Sequence, residues 1–433
     1  MEVIIGCVAN LALAGAILFY RRLAKLKWLQ LDPCSYFLFI ALLPTIVGIN
    51  VFLYTNIEIP WGLQDLLNPE IILPVYVGYY VSWCLTFIFF GIAQSVIRIK
   101  DRRISHNIFL NDPSRKWFSR IVLISLSLIL LTDLYLIGDL PGFYIFNGDV
   151  LGAELAKGRF IEERFRSSIP ILGYLMQYFP LFALAWMFDE YYSSGKRLKL
   201  LITVLLLLIY TVMTLIKSFL LMPVIVAMAV FISYSEHRIN LKFVGYSICL
   251  VLAVVIIPFY LLFNEQEVNL LAKVGSRIFL VQIQGAFLIR SIFEGWDLTA
   301  LLNGAPLLKR LGFVTMDPAA QVFVEAWGEQ GSNGFVNMNS HYIGQGFVMF
   351  GNAVPVVGPL IILMNFAAIV LASRSLQIGN SSHISSIIAL TSLSLIPFNN
   401  NFGNALYFKP LLAFLIMSIF VFILYRFSRF IAR

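Results

Sequence analysis

Eleven runs of mostly apolar residues, each close to the length that crosses a bilayer, dominate this 433-residue sequence. A transmembrane helix needs about 20 such residues, and inside lipid only helices or closed barrels satisfy the backbone. Hydrophobic residues make up 60% of the chain, more than a soluble domain normally carries. We therefore predict an all-α polytopic membrane protein, a single integral membrane domain over 1–433 with about 11 transmembrane helices. The runs lie at 3–20, 35–55, 72–97, 118–137, 169–190, 200–216, 219–235, 243–263, 346–372, 384–398 and 410–425.

Lysine and arginine are placed in a way that orients these spans. Connections on the cytoplasmic side are enriched in both residues. Of the 31 lysine and arginine residues in the chain, 19 fall in every second connection between predicted spans and at the C-terminus. With eleven spans, this distribution predicts an external N-terminus and a cytoplasmic C-terminus.

Eleven further basic residues fall on the predicted outer side, where such residues are normally depleted. Some could pair with neighbouring glutamates of the same loop, and a lysine at a helix tip can simply reach the interface. Alternatively, several of them hold phosphate groups, because guanidinium forks bind phosphate oxygens bidentately. They are Lys157, Arg159, Arg164, Arg166, Lys217, Lys273, Arg277, Arg290, Lys309, Arg310 and Lys409.

Two predicted external loops carry most of these residues. The loop at 139–168 holds an arginine cluster, and the loop at 264–345 is much longer than a simple connection requires. Within the second, the stretch 273–293 is apolar but interrupted by Arg277, Gln284 and Arg290. It could lie in the interface, re-enter the membrane as a half-helix, or span it. We expect this large loop, with its amphipathic or re-entrant helices, to form the wall of an active site.

His341 is the one histidine of four that is predicted to lie outside, directly before the run at 346–372. A lone histidine is often structural. Here a neutral imidazole could also act as a general base or as an orienting donor. Glu325 and Asp317 are the acidic alternatives in the same loop. The spacing of His and carboxylate residues fits no metal site, so we expect no metal and no cofactor.

Taken together, these features resemble the O-antigen polymerase (Wzy) family of polysaccharide repeat-unit polymerases, which is related to the O-antigen ligases. The resemblance covers the whole chain in architecture, with many spans and arginines in two external loops. Locally it rests on Arg159, Arg164 and Arg166 followed by Gly173, and on His341 followed by Gly351 and Gly358. The family's Arg-x10-Gly motif is not reproduced, since Arg164 and Gly173 enclose eight residues.

The resemblance implies a fold like that of lipid-dependent membrane glycosyltransferases, in the bacterial inner membrane with a periplasmic N-terminus. It implies transfer of a growing glycan from undecaprenyl pyrophosphate to a new lipid-linked repeat unit, without a metal. The expected partners are this lipid-linked oligosaccharide, as donor and acceptor, and membrane lipids. A chain-length regulator and a flippase are candidate partners, and nucleic acid is not expected. The implied catalytic residues are His341, Arg277 and Glu325, and the implied pyrophosphate-binding residues are Arg159, Arg164, Arg166, Lys217 and Arg290.

Two other functions stay open at this point. An O-antigen ligase would use the same chemistry with a lipid A core acceptor. A flippase for lipid-linked oligosaccharides, or another transporter, belongs to a different class. Transporters generally place charged residues near the midplane of the membrane. Asp133 is the only clear charge well inside a predicted span, which weighs against transport.

Overall fold

The computed structural model describes residues 2–27, 30–54, 60–97, 113–149, 152–153, 155–157, 170–216, 218–234, 279–303, 305, 308, 311–328, 341–376, 382–396 and 402–433. Its α-helices are α1 (Glu2–Leu23), α2 (Pro33–Tyr54), α3 (Ile72–Ile97), α4 (Pro113–Ile137), α5 (Pro141–Phe146), α6 (Pro170–Ser194), α7 (Leu198–Thr214), α8 (Ser218–Tyr234), α9 (Val281–Ile292), α10 (Leu298–Asn303), α11 (Pro318–Trp327), α12 (Tyr342–Phe350), α13 (Val354–Ser375), α14 (Ser382–Leu393), α15 (Gly403–Leu406) and α16 (Lys409–Ile431).

Six stretches of these helices are long and apolar enough to cross a membrane. They are Ile4–Leu23, Pro33–Tyr54, Pro69–Val96, Ser114–Leu136, Tyr342–Ser375 and Lys409–Ile431. Shorter apolar helices lie at Leu198–Thr214, Leu221–Ser233, Ile283–Ile292 and His383–Leu393. The prediction of a helical membrane protein is therefore confirmed. The predicted span at 243–263 lies outside the described residues.

The helices pack in two groups that meet along one side. In the first, α3 contacts α1, α2, α9 and α13, and α9 also contacts α2 and α12. In the second, α6 contacts α4, α7, α8 and α16. Helix α14 joins the groups because it packs against α6, α13 and α16. Aromatic rings fill both interiors, such as Tyr20 against Phe87 at 5.9 Å and Phe118 against Trp186 at 4.8 Å between ring centroids.

The predicted span at 346–372 is wrong as a single helix. Helix α12 ends at Gly351, whose φ of 59° and ψ of −144° suit glycine, and a 3-10 turn at Gly351–Ala353 leads into α13. A Cβ atom on Gly346 would meet Val354, and one on Gly358 would meet the Tyr342 ring. These close approaches show that α12 folds back along α13. The two helices form a hairpin, with the start of α12 beside Gly358 of α13.

Helix α9 comes from the interrupted stretch at 273–293 and is enclosed by other helices. It is described over Val281–Ile292, and residues 235–278 of the chain before it lie outside the described part. Residues 283–289 are all buried. A helix that lay flat in the interface would expose one face to lipid or water, so this burial argues against the interfacial position.

Candidate functional site

Helices α9 and α12 approach each other so closely that their backbones touch. A Cβ atom on Gly344 would lie 2.7 Å from the Cα atom of Ala286. Farther along both helices, the guanidinium of Arg290 lies over the Phe347 ring. The pairing of 286 with 344 and of 290 with 347 means that the two helices run in the same direction. Residues 284 and 342 therefore lie at about the same depth.

His341 stands at the N-terminus of α12 and is fully buried. Its ring lies 4.7 Å from the Tyr79 ring, 5.6 Å from the Trp83 ring and 4.1 Å from the Tyr342 ring, measured between centroids. Its Nδ1 atom accepts a hydrogen bond of 3.4 Å from the backbone N–H of Ile343, and so caps the helix. His341 therefore directly precedes the candidate span that begins at Tyr342, and rings from α3 pack against its imidazole.

The hydrogen bond at Nδ1 determines the protonation of the imidazole. A backbone N–H can only donate, so Nδ1 must offer a lone pair and the proton of a neutral ring sits on Nε2. The ring is therefore neutral, with an N–H group at Nε2. Within the described part of the chain, Nε2 has no hydrogen-bond partner.

One more buried polar group beside His341 lacks a partner among the described residues, the hydroxyl of Tyr79 on α3. Buried polar side chains in folded proteins nearly always have a partner. Two exceptions on neighbouring rings therefore mark a candidate polar site. The side-chain amide of Gln284 on α9 is also buried without a described partner, but on the face of that helix opposite Ala286.

Arg290 lies toward the other end of α12, near the turn of the hairpin. Its guanidinium carbon is 3.5 Å from the centroid of the Phe347 ring, and Nη2 donates to Asn352 Oδ1 over 3.3 Å. No carboxylate pairs with it in the described ranges. Phe347 is six residues beyond His341, about 9 Å along the helix axis. The structure thus places Arg290 at one end of α12 and His341 at the other.

Of the other predicted site residues, Glu325 and Asp317 belong to α11 and its N-terminal cap. Glu325 is exposed, whereas Val322 and Phe323 of that helix are buried. Asp317 caps α11, since its Oδ1 accepts from the Ala319 N–H at 3.0 Å. The remaining predicted residues lie outside the described part of the chain: Arg159, Arg164, Arg166, Lys217 and Arg277.

A second polar cluster, which sequence reasoning missed, joins the starts of α4 and α14 to the end of α6. The carboxylate of Asp189 is fully buried, and its Oδ2 lies 3.0 Å from Arg115 Nη2 and 2.7 Å from His383 Nε2. Arg115 also donates to Ser193 Oγ at 2.7 Å. Arg115 and His383 had been assigned to cytoplasmic connections. The sequence did contain a sign of this cluster. One apolar run carries an aspartate in its last turns, and two other apolar runs carry a basic residue at their starts.

No family model matches this chain, nor does any curated protein or any solved structure. In the ranges that the structure describes, no group of three or more His, Cys, Asp or Glu residues could hold a metal ion. The apolar helices of this chain place it in the class of helical membrane proteins.

Proposed function

We propose that this protein is a polysaccharide repeat-unit polymerase of the O-antigen polymerase type. It transfers a growing glycan from undecaprenyl pyrophosphate to a lipid-linked repeat unit on the outer face of a bacterial inner membrane. The N-terminus is then periplasmic and the C-terminus cytoplasmic. This proposal extends the resemblance noted in the sequence.

The observation that carries the proposal is the pair α9 and α12, with Arg290 at one end and His341 at the other. Both residues come from the predicted large loop. His341 Nε2 has no partner in the described residues, and Arg290 donates to Asn352 Oδ1 and pairs with no described carboxylate. An arginine without a described carboxylate partner suits a phosphate group. A buried imidazole without a partner at Nε2 suits an uncharged polar group of a substrate.

In the proposed reaction, the acceptor hydroxyl attacks the anomeric carbon of the donor sugar. The bond from that carbon to the phosphate oxygen breaks, and the lipid pyrophosphate leaves with growing negative charge. Fixed cations stabilise such a leaving group electrostatically, with no change of geometry during the reaction. Arg290 has this role in the proposal. From the sequence, we add Arg277 and the arginines of the earlier loop: Arg159, Arg164 and Arg166.

A variant series in a strain that depends on this protein for its surface glycan tests the proposal. Arg166→Ala, Arg277→Ala and His341→Ala are each expected to leave single-repeat glycan at a normal protein level. Arg120→Ala is a suitable control, because its guanidinium stacks on Trp117 of the same helix and belongs to neither loop. Full-length polymer in all three variants would refute the assignment.

The acceptor distinguishes a polymerase from a ligase. Purified protein given only lipid-linked repeats should lengthen them, whereas a ligase would need a lipid A core acceptor. A transporter is the second candidate, favoured by the buried charges of Arg115 and Asp189, since ionisable groups within membrane helices often mark transport pathways. Movement of a labelled lipid-linked repeat across a vesicle bilayer, without chain growth, would support the transporter.

A further inference from the structure

His341 is surrounded by uncharged groups, and no described cation contacts its ring. Two polar groups there are buried and without a partner in the described residues, the Nε2–H of His341 and the hydroxyl of Tyr79. Aromatic rings of Tyr79, Trp83 and Tyr342 surround the imidazole. Arg290, the nearest cation that the structure assigns to this helix pair, lies about 9 Å farther along α12.

This chemistry suits hydroxyl groups better than phosphate. A phosphate needs positive charge to offset its removal from water, and no cation among the described residues contacts the His341 ring. A sugar hydroxyl both donates and accepts, so it can receive the N–H of His341 and pair with the Tyr79 hydroxyl. Aromatic rings also pack against the C–H faces of a sugar. On the proposed function, we infer that His341 and Tyr79 form a recognition site for hydroxyl groups of a neutral sugar, with His341 donating from Nε2.

Donation from Nε2 excludes His341 as the general base in this conformation. Its only lone pair, at Nδ1, is occupied by the Ile343 N–H. The acceptor hydroxyl then passes its proton to an oxygen of the departing pyrophosphate as the new C–O bond forms and the old one breaks. His341 holds and orients that hydroxyl or a neighbouring one. His341 therefore binds the sugar, and the departing pyrophosphate accepts the proton.

The tautomer can be observed without any activity assay. In protein labelled with 15N-histidine and placed in lipid nanodiscs, solid-state NMR separates imidazoles protonated at Nε2 from those protonated at Nδ1. The spectrum of His341→Gln identifies the His341 signal among the four histidines. A neutral ring protonated at Nε2 supports the inference. A proton at Nδ1, or a charged ring, would overturn it.

Adding two lipids to the same sample identifies the ligand class. Undecaprenyl pyrophosphate carrying a neutral oligosaccharide should shift the Nε2 signal, whereas undecaprenyl pyrophosphate alone should leave it unchanged. An equal shift with both lipids would mean that the site binds phosphate. No shift with either would mean that bound water is the partner. Both of these results contradict a sugar site.

Paired tyrosine variants separate recognition from structure. Tyr79→Phe removes a hydroxyl without a described partner, so the melting temperature should stay the same or rise while chain growth falls about three- to tenfold. Tyr80→Phe is the matched control. Its hydroxyl donates to Asn10 and accepts from Asn50, both at 2.8 Å, so stability should fall with chain growth retained. Equal chain growth in the two variants would count against the site.

Histidine replacements test donor against base. In His341→Gln, the side-chain amide keeps an N–H donor near the position of Nε2. In His341→Asn, the side-chain oxygen keeps only the acceptor that caps the helix near the position of Nδ1. If His341 acts by donating a hydrogen bond from Nε2, the protein with His341→Gln makes more polymer than those with His341→Asn and His341→Ala. If all three are equally inactive, the donor role is wrong. If the wild-type protein itself makes no polymer, the proposed function is wrong. The NMR and melting experiments still test whether His341 donates from Nε2 and whether a sugar binds there.

Discussion

Replacing Asp189 with leucine is expected to lower the free energy of unfolding by about 3–5 kcal/mol, because it leaves Arg115 charged and buried. The two groups are 3.0 Å apart, with side-chain exposures of 7% for Arg115 and 0% for Asp189. At an effective dielectric constant of about 20, a pair at this distance interacts with roughly 5 kcal/mol. The hydrogen bond from Arg115 to Ser193 remains and offsets part of the loss.

The double variant Arg115→Met with Asp189→Leu distinguishes an unpaired charge from a simple loss of packing. Apolar replacement of both partners of a buried pair is often close to neutral. The double variant should therefore recover the part of the loss that comes from the unpaired Arg115, whereas His383 still loses its contact with Asp189. Glu190→Gln is the control, because its partner Lys199 is 22% exposed and can reach water. We expect that variant to lose less than about 1 kcal/mol.

Equilibrium unfolding in mixed micelles, with an increasing fraction of sodium dodecyl sulfate, measures these free energies. Each variant is compared with the wild-type protein under the same lipid and detergent conditions. The reasoning would be refuted if Asp189→Leu lost less than about 1 kcal/mol. It would also be refuted if the double variant were as unstable as the sum of its single changes, since no coupling would then exist.

Three further predictions concern the helix pair α9 and α12. Gly351→Ala should lower the free energy of unfolding by about 1–3 kcal/mol, because φ is positive at Gly351. Gly15→Ala is the control and should leave the free energy of unfolding unchanged, because the added Cβ atom would meet no atom within 4 Å. Gly344→Ala should reduce chain growth and thermal stability, and Ala286→Gly should not restore them, because the closest atom is the backbone Cα at 2.7 Å. Arg290→Lys should make less polymer than wild type but more than Arg290→Ala in the glycan assay, since lysine keeps the charge without the planar fork.

The long helices could be predicted from the sequence, and the hairpin of α12 and α13 could not. Hydropathy records how apolar a segment is, and the residues on both sides of Gly351 are equally apolar. The chain turns there because Gly351 adopts a positive φ and because Gly346 and Gly358 allow the two helices to touch. Glycine is also common in straight membrane helices, so its presence gave no warning.

The positions of the polar residues were predicted less well, for a related reason. Charge counting assigns a residue to a side of the membrane and gives no information on burial. It treated Arg115 and His383 as residues of connections, although both are buried against Asp189. It also gave no indication that His341 is fully buried at the start of α12. Each of these positions depends on a partner from a distant part of the chain.

The pairing of α9 with α12 has a consequence for how the protein is assembled during synthesis. Helices α2 and α3 are made before α9, but α12, which packs against Ala286, begins about 60 residues after α9 begins. The face of α9 that holds Ala286 therefore reaches its final packing only after α12 has left the ribosome. A chain truncated before α12 would carry α9 and still lack the surroundings of His341.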